Sequence, residues 1–129
     1  MSDCKFRKGG SKKYVLTELY DDRLHFGPKT DIDTGYCVFL RGGRIFINAG
    51  YEWDGPSGPA IDTDNFMDGS LVHDVLYQLM REEELKPRWR YRLKADNEMF
   101  RQCKKDNMSL PRRCWTWLGV RLGGYFAAR

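Results

Sequence analysis

The pattern of apolar residues changes near the middle of the chain, and this change constrains the fold more than any other feature. Between residues 14 and 48, short segments rich in β-branched and aromatic residues alternate with turn-forming residues, as in strands. From about residue 64 onward, apolar residues recur at the spacing of amphipathic helices. Strands followed by helices are typical of α+β proteins, in which the two kinds of element segregate.

The first half predicts a small antiparallel β meander, with strands over residues 14–19, 23–26, 36–40 and 44–48. The last two strands are joined by Arg41-Gly42-Gly43, a hairpin signal because glycine reaches positive φ without steric cost. Residues 1–12 are polar and basic and predict a flexible arm. A single α+β domain is then expected over residues 13–129.

The second half predicts three α-helices. The first is capped by Asp64 or Asp68 and runs to about residue 85, and the others cover about residues 88–106 and 111–129. Proline restricts the residue before it, so Lys86-Pro87 ends the first helix. Ser109 and Pro111 suit the start of the third. Because the connection between the first two helices is short, they are expected to pack as an antiparallel pair.

Composition excludes several classes of protein. With 129 residues, 41% hydrophobic and 31% charged, the chain is long enough for one folded domain and too apolar for wholesale disorder. A net charge of +4 is far from that of a nucleic-acid binder, so no specific nucleic-acid partner is expected. The four cysteines lack the spacing of a zinc ribbon, and Cys103 and Cys114 predict two buried thiols rather than a disulfide. No signal peptide or membrane-length apolar run is found, which predicts synthesis in the cytoplasm.

The first predicted helix carries a histidine and a carboxylate side by side on an apolar segment, His73 and Asp74. His73 shares a helix face with Tyr77, and Asp74 lies about 100° around the helix. On the second helix, Arg92 and Asp96 lie on one stripe. Asp96 is therefore expected to meet His73 across the interface between the two helices.

These residue types admit three interpretations. A histidine oriented by a carboxylate is a general base whose tautomer is fixed. A second carboxylate beside backbone carbonyls suits a hard cation such as calcium, and the glycine-containing turn at residues 53–58 is predicted to supply those carbonyls. A buried His–Asp–Tyr–Arg network can also lock helices together without any chemistry. The residues alone leave a hydrolytic site, a metal site and a structural polar cluster open.

The chain resembles a family of uncharacterised phage and prophage proteins over about residues 35–129. The resemblance is carried by Gly50-Tyr51, the turn at residues 54–59, the His-Asp-x-x-Tyr helix at 73–77, the Arg-x-x-Ala-Asp helix at 92–96 with Phe100, and the segment 120–129. It implies a phage-encoded protein, made in the host cytoplasm or carried in the virion, with other phage proteins as partners. It implies no activity.

A more distant resemblance is to phospholipases A2 of the bacterial and parvoviral kinds, which share a glycine calcium loop, a His-Asp-x-x-Tyr helix and an aspartate on the next antiparallel helix. By position, the resemblance implies that His73 deprotonates water, that Asp96 orients His73 and that Tyr77 supports Asp96, with Arg92 nearby. It assigns the calcium ligands to Asp74 and to the 53–58 turn, through Trp53, Asp54, Gly55 and Ser57. The chain departs from the family in its loop sequence and in lacking the cysteines that flank the His-Asp pair of secreted phospholipases.

Two functions are therefore expected as alternatives. The first is a calcium-dependent lipid esterase that acts on a phospholipid membrane surface when the phage enters or lyses its host. The second is a non-catalytic virion or host-interaction protein, associated with the phage tail or neck, in which the helix pair is structural. The apolar segment at residues 114–126 fits either a membrane-surface helix or a helix that covers its own core. The oligomeric state is left open.

Overall fold

The computed structural model describes residues 4–10, 12–54 and 64–127. The chain divides into two compact units, Met1–Asp54 and Gly55–Arg129. The described part of the first unit contains seven antiparallel strands in two sheets, and the second contains three helices. The predicted α+β class, a β meander followed by three helices, is confirmed.

The first sheet has three strands in the order β1-β2-β7. Its strands are β1 (Phe6–Lys8), β2 (Tyr14–Leu16) and β7 (Glu52–Trp53). β1 lies within the segment predicted to be an arm and pairs with β2, so that Phe6 faces Leu16. β7 pairs with the other side of β2 and places Trp53 opposite Tyr14. The division into an arm and one domain stays a prediction.

The second sheet has four strands in the order β3-β6-β5-β4. Its strands are β3 (Tyr20–Arg23), β4 (Ile32–Asp33), β5 (Cys37–Phe39) and β6 (Arg44–Ile47). The predicted hairpin joins β5 to β6, and Gly43 there has φ of 99°. A Cβ atom at Gly43 would lie 2.7 Å from the backbone oxygen of Leu24, so the turn requires glycine for its space as well as for its φ.

Buried and exposed side chains alternate along the strands, and the buried ones form the core of the strand unit. Successive residues of a strand point to opposite faces, so every second side chain can be buried. Cys37 and Phe39 of β5, and Ile45 and Ile47 of β6, are all fully buried, whereas Val38 between them is partly exposed.

The three helices are α1 (Asp64–Arg81), α2 (Arg88–Lys105) and α3 (Leu110–Ala127). α1 ends four residues before the predicted Leu85, because Glu83 adopts a left-handed φ of 64°. The amide of Glu84 then donates to the carbonyl of Leu79 at 2.8 Å, which closes the helix in a Schellman motif. Asn107, with φ of 70°, closes α2 in the same way.

The helices form two antiparallel pairs, in which α1 packs against α2 and α2 packs against α3. Near the start of α1, Gly69 lies against Met99 and Cys103 of α2. A small apolar cluster comprises Phe66, Met99, Cys103 and Met108. Val120 of α3 packs against this cluster. Cys103 is buried as predicted, but the prediction for Cys114 is wrong, because Cys114 lies on the exposed side of α3. Among the described helices, none combines the length and the apolar character that crossing a bilayer requires.

Candidate functional site

The site is centred on Asp96, a fully buried carboxylate on α2. Three side chains donate hydrogen bonds to it. His73 reaches Oδ1 through Nε2 at 2.7 Å, and the Tyr77 hydroxyl reaches the same oxygen at 2.6 Å. Arg121 reaches Oδ2 through Nη1 at 2.9 Å. A carboxylate with this many strong donors is satisfied in the absence of water.

Helix geometry explains why these groups meet. His73 and Tyr77 are four residues apart on α1, so they share a face, and their ring centroids are 4.1 Å apart. Asp96 occupies the buried face of α2 together with Ala95 and Met99. α3 runs antiparallel to α2 and brings Arg121 to the second oxygen of Asp96. All three helices therefore contribute to the site.

Asp96 also fixes the tautomer of His73. An ionised carboxylate can only accept hydrogen bonds, so Nε2 of His73 carries a hydrogen whether the ring is charged or neutral. In the neutral ring the lone pair then lies on Nδ1. That nitrogen is 4.0 Å from Oδ1 of Asp74, whose side chain is 33% exposed, and the His73 side chain itself retains 11% exposure. The basic nitrogen thus lies on the side of the ring that faces the partly exposed Asp74.

The two carboxylates control the charge of His73. Burial alone would lower the pKa of His73, but hydrogen bonds and electrostatic attraction from Asp74 and Asp96 outweigh it, and the pKa is raised above its ordinary value. Burial, followed by the charge of Asp96, raises the pKa of Tyr77, so its hydroxyl stays protonated and remains a donor.

Arg92 interacts with the Tyr77 hydroxyl and with the backbone of Arg121, and Arg121 was missed from the sequence. Arg92 donates through Nη2 to the backbone carbonyl of Arg121 at 2.6 Å and so holds the segment that carries Arg121. A signal for Arg121 was present, because it is the single charged residue between Arg113 and Arg129. A lone charge in an apolar helix is costly unless it is paired, which indicates a buried carboxylate partner.

The predicted calcium ligands are divided between the two units and the residues outside the described ranges. Trp53 and Asp54 belong to the strand unit, Asp74 belongs to the helix unit, and Gly55 and Ser57 lie outside the described residues. Across residues 4–10, 12–54 and 64–127, no group of three or more histidine, cysteine or acidic side chains could hold a metal ion. Calcium takes six to eight oxygen ligands, and Asp74 supplies only one carboxylate. The described residues do not by themselves form a calcium site, and calcium binding stays a prediction.

No family model, curated protein or solved structure matches this chain. The resemblances to phage proteins and to phospholipases A2 therefore stay predictions as well.

The site can transfer a proton at one defined atom, Nδ1 of His73. Nδ1 of neutral His73 accepts a proton, and Asp96 stabilises the imidazolium that results. Tyr77 and Arg121 hold Asp96 in place, so the ring keeps its orientation as its charge changes. An oriented imidazole beside a partly exposed carboxylate can activate a water molecule.

Proposed function

We propose that the helix unit is a hydrolase that cleaves carboxylic esters of phospholipids, with His73 as its general base. The observation that carries this proposal is the 2.7 Å hydrogen bond between Nε2 of His73 and the buried Asp96. That bond leaves Nδ1 as the basic atom, on the side of the partly exposed Asp74.

In the proposed reaction, Nδ1 of His73 takes a proton from water as the water oxygen attacks the ester carbonyl carbon. The tetrahedral intermediate then breaks its bond to the alkoxide leaving group, which receives the proton from His73. Asp96 stabilises the imidazolium between these two steps. The products are a fatty acid and a lysophospholipid, and no oxidant or additional reactant is needed.

The phage setting and calcium dependence belong to the same proposal. An esterase of this kind would act on the host membrane when the phage enters or lyses the cell. If calcium binds at Asp74, it would polarise the ester carbonyl. The proton transfers above depend on residues of the chain itself.

A structural role is the second candidate, and one observation favours it. The side chain of Asp96 joins all three helices, because it bonds to His73 and Tyr77 of α1 and to Arg121 of α3. A fully paired buried network of this kind can specify how helices pack without catalysing any reaction. In this alternative, the protein is a non-catalytic virion or host-interaction component.

Replacing His73 separates the two candidates. Loss of a general base costs about 10²–10⁴-fold in rate, so His73→Gln should reduce fatty-acid release from phospholipid vesicles by about that factor. The other histidine of the chain, the exposed His25, provides the matched control, and His25→Gln should retain full activity. Circular dichroism of both variants verifies the fold.

Two results would contradict the proposal. If the wild-type protein releases no fatty acid from any phospholipid tested, or if folded His73→Gln retains the wild-type rate, His73 is not a general base and its role is structural. In that case His73→Gln should only lower the free energy of unfolding, by about 1–3 kcal/mol for a buried hydrogen-bonded group.

A further inference from the structure

The outer side of α3 is apolar between Leu110 and Leu122. Every exposed residue between Leu110 and Leu122 is uncharged, and together these residues form what we call the α3 outer face: Leu110, Pro111, Cys114, Trp115, Leu118 and Leu122. The exposed fractions are 55% for Trp115, 45% for Leu118 and 71% for Leu122. Spacings of three and four residues place these three side chains on one stripe.

Such a face is unusual for a helix at a protein surface. A surface helix normally turns charged and polar residues outward and its apolar stripe inward. α3 carries Arg112, Arg113 and Arg121, but each is partly buried, and Arg113 and Arg121 contact Phe100 and Asp96 respectively. Contiguous exposed apolar patches mark sites of interaction.

α2 extends this apolar surface. Trp89 and Leu93, one turn apart, are 72% and 42% exposed. Asn97 continues the same stripe and accepts a hydrogen bond from Nε1 of Trp117 at 3.0 Å, which places this side of α2 next to α3. Seven residues further along the stripe lies the exposed Lys104. Two exposed tryptophans and several leucines therefore lie on neighbouring helices with basic residues beside them.

Positive charge is concentrated in these two helices. Residues 88–127 contain ten basic and three acidic residues, a net charge of +7, although the whole chain carries only +4. The rest of the chain is therefore net negative, at −3. A surface that combines exposed tryptophan and leucine with excess lysine and arginine complements an anionic lipid interface, where tryptophan is favoured and basic residues meet headgroup phosphates.

We propose that the α3 outer face, with Trp89 and Leu93 of α2, docks this protein onto the surface of an anionic phospholipid bilayer. A second copy of the chain is a poor occupant, because it would bring the exposed Arg90, Lys94 and Lys104 of two chains close together. A nucleic acid is also a poor occupant, since its phosphates offer nothing to the leucine side chains. The inference goes beyond the proposed hydrolase, because docking does not require His73.

Co-sedimentation of the full chain with lipid vesicles tests the apolar part of the surface. Wild-type protein should bind vesicles of phosphatidylglycerol and phosphatidylcholine at least about tenfold more tightly than vesicles of phosphatidylcholine alone. Leu122→Ser should weaken binding by about tenfold, since one leucine side chain no longer leaves water. Leu19, 57% exposed in the strand unit, provides the matched control, and Leu19→Ser should bind as the wild type does.

A charge-reversal pair tests the electrostatic part. Arg90→Glu with Lys104→Glu should weaken binding to the anionic vesicles by at least about tenfold, and added salt should reduce this difference. Lys8→Glu with Lys29→Glu makes the same change in net charge at exposed positions of the strand unit and should have little effect. His73→Gln should bind like the wild type, so loss of hydrolysis and loss of docking are distinguishable.

Three results would overturn the proposal. The first is binding that is absent or is equal for charged and neutral vesicles. The second is equal binding by Leu122→Ser and Leu19→Ser. The third is a different occupant, shown if Leu122→Ser converts a dimer to a monomer in light scattering, or if wild-type protein prefers duplex DNA to the anionic vesicles.

Discussion

The three hydrogen-bond partners of Asp96 differ in the charge that they carry. His73 can gain or lose a proton, whereas burial and the charge of Asp96 keep Tyr77 neutral, so protonation of His73 changes the charge of the cluster. Arg121 compensates the buried carboxylate when His73 is neutral. The network therefore persists in both charge states of His73, as a proton-transferring site requires.

Protonation of His73 should change stability and activity in opposite directions. The folded-state pKa lies above the ordinary 6.5 of an unfolded histidine. The contribution of His73 to stability is therefore complete below pH 6.5 and lost as pH rises through the folded-state pKa. Hydrolysis should rise over the same interval, because the neutral ring is the base. Urea unfolding in a chelating buffer and initial rates with added calcium, each measured at a series of pH values, test both trends.

The difference in unfolding free energy between wild type and His73→Gln isolates this group from the others. Asp74 and Tyr77 of α1, Asp96 of α2 and Arg121 of α3 are present in both proteins, so their effects largely cancel. A difference that does not depend on pH, or that grows as pH rises, contradicts the assignment.

Calcium binding at Asp74 can be tested without measuring activity. A ligand that binds only the folded protein stabilises it by about 2.7 kcal/mol at a hundred times its dissociation constant, so calcium should raise the melting temperature. Magnesium should do so less, because it demands a stricter octahedral geometry. Asp74→Asn should abolish the effect, whereas Asp33→Asn, at an exposed strand position, should not. Equal melting temperatures of the wild type with calcium and with chelator would remove calcium from the proposal.

At the scale of secondary structure, the elements with strong local signals were predicted, and those without such signals were not. Gly42-Gly43 predicted the β5–β6 hairpin because the turn itself needs positive φ. The end of α1 was missed because Glu83, rather than a glycine, adopts the left-handed conformation. The two-residue strands β4 and β7 have too few residues to show an alternating pattern.

The same distinction applies to the site. Helix periodicity and a short connection were enough to predict that His73 would meet Asp96. Arg121 depends on where the third helix packs, and nothing in the local sequence encodes that position.

The contact between α1 and α2 at Gly69 should not tolerate a methyl group. A Cβ atom there would lie 3.0 Å from Sγ of Cys103 and 3.3 Å from the backbone oxygen of Met99. Glycine to alanine normally stabilises a helix interior by about 1 kcal/mol, but the crowding should outweigh this gain. Gly69→Ala should therefore lower the free energy of unfolding by about 1–3 kcal/mol in urea titrations.

Gly119 of α3 is the control for this prediction, because a Cβ atom there would meet nothing within 4 Å. Gly119→Ala should be stabilising by about 0.5–1 kcal/mol. Adding Cys103→Ala to Gly69→Ala should cost less than the sum of the single changes, since it removes the crowding sulfur. Strict additivity, or a more stable Gly69→Ala, would show that the helices are not in close contact at this point.

Across the whole molecule, three of the four thiols are shielded. Cys4 and Cys37 in the strand unit and Cys103 in the helix unit are buried, whereas Cys114 is exposed on α3. Burial raises the pKa of Cys37 and of Cys103 to about 12, so their reactive thiolate forms are scarce near neutral pH.

One thiol per chain should therefore react rapidly with a disulfide reagent near pH 8, and the others only after unfolding. Cys114→Ser should abolish the rapid phase, and Cys103→Ser should leave it unchanged. Because Cys114 belongs to the α3 outer face, anionic vesicles should slow its modification, while neutral vesicles should not. A rapid phase that survives in Cys114→Ser would mean that a second cysteine is accessible, in conflict with the packing of one of the two units.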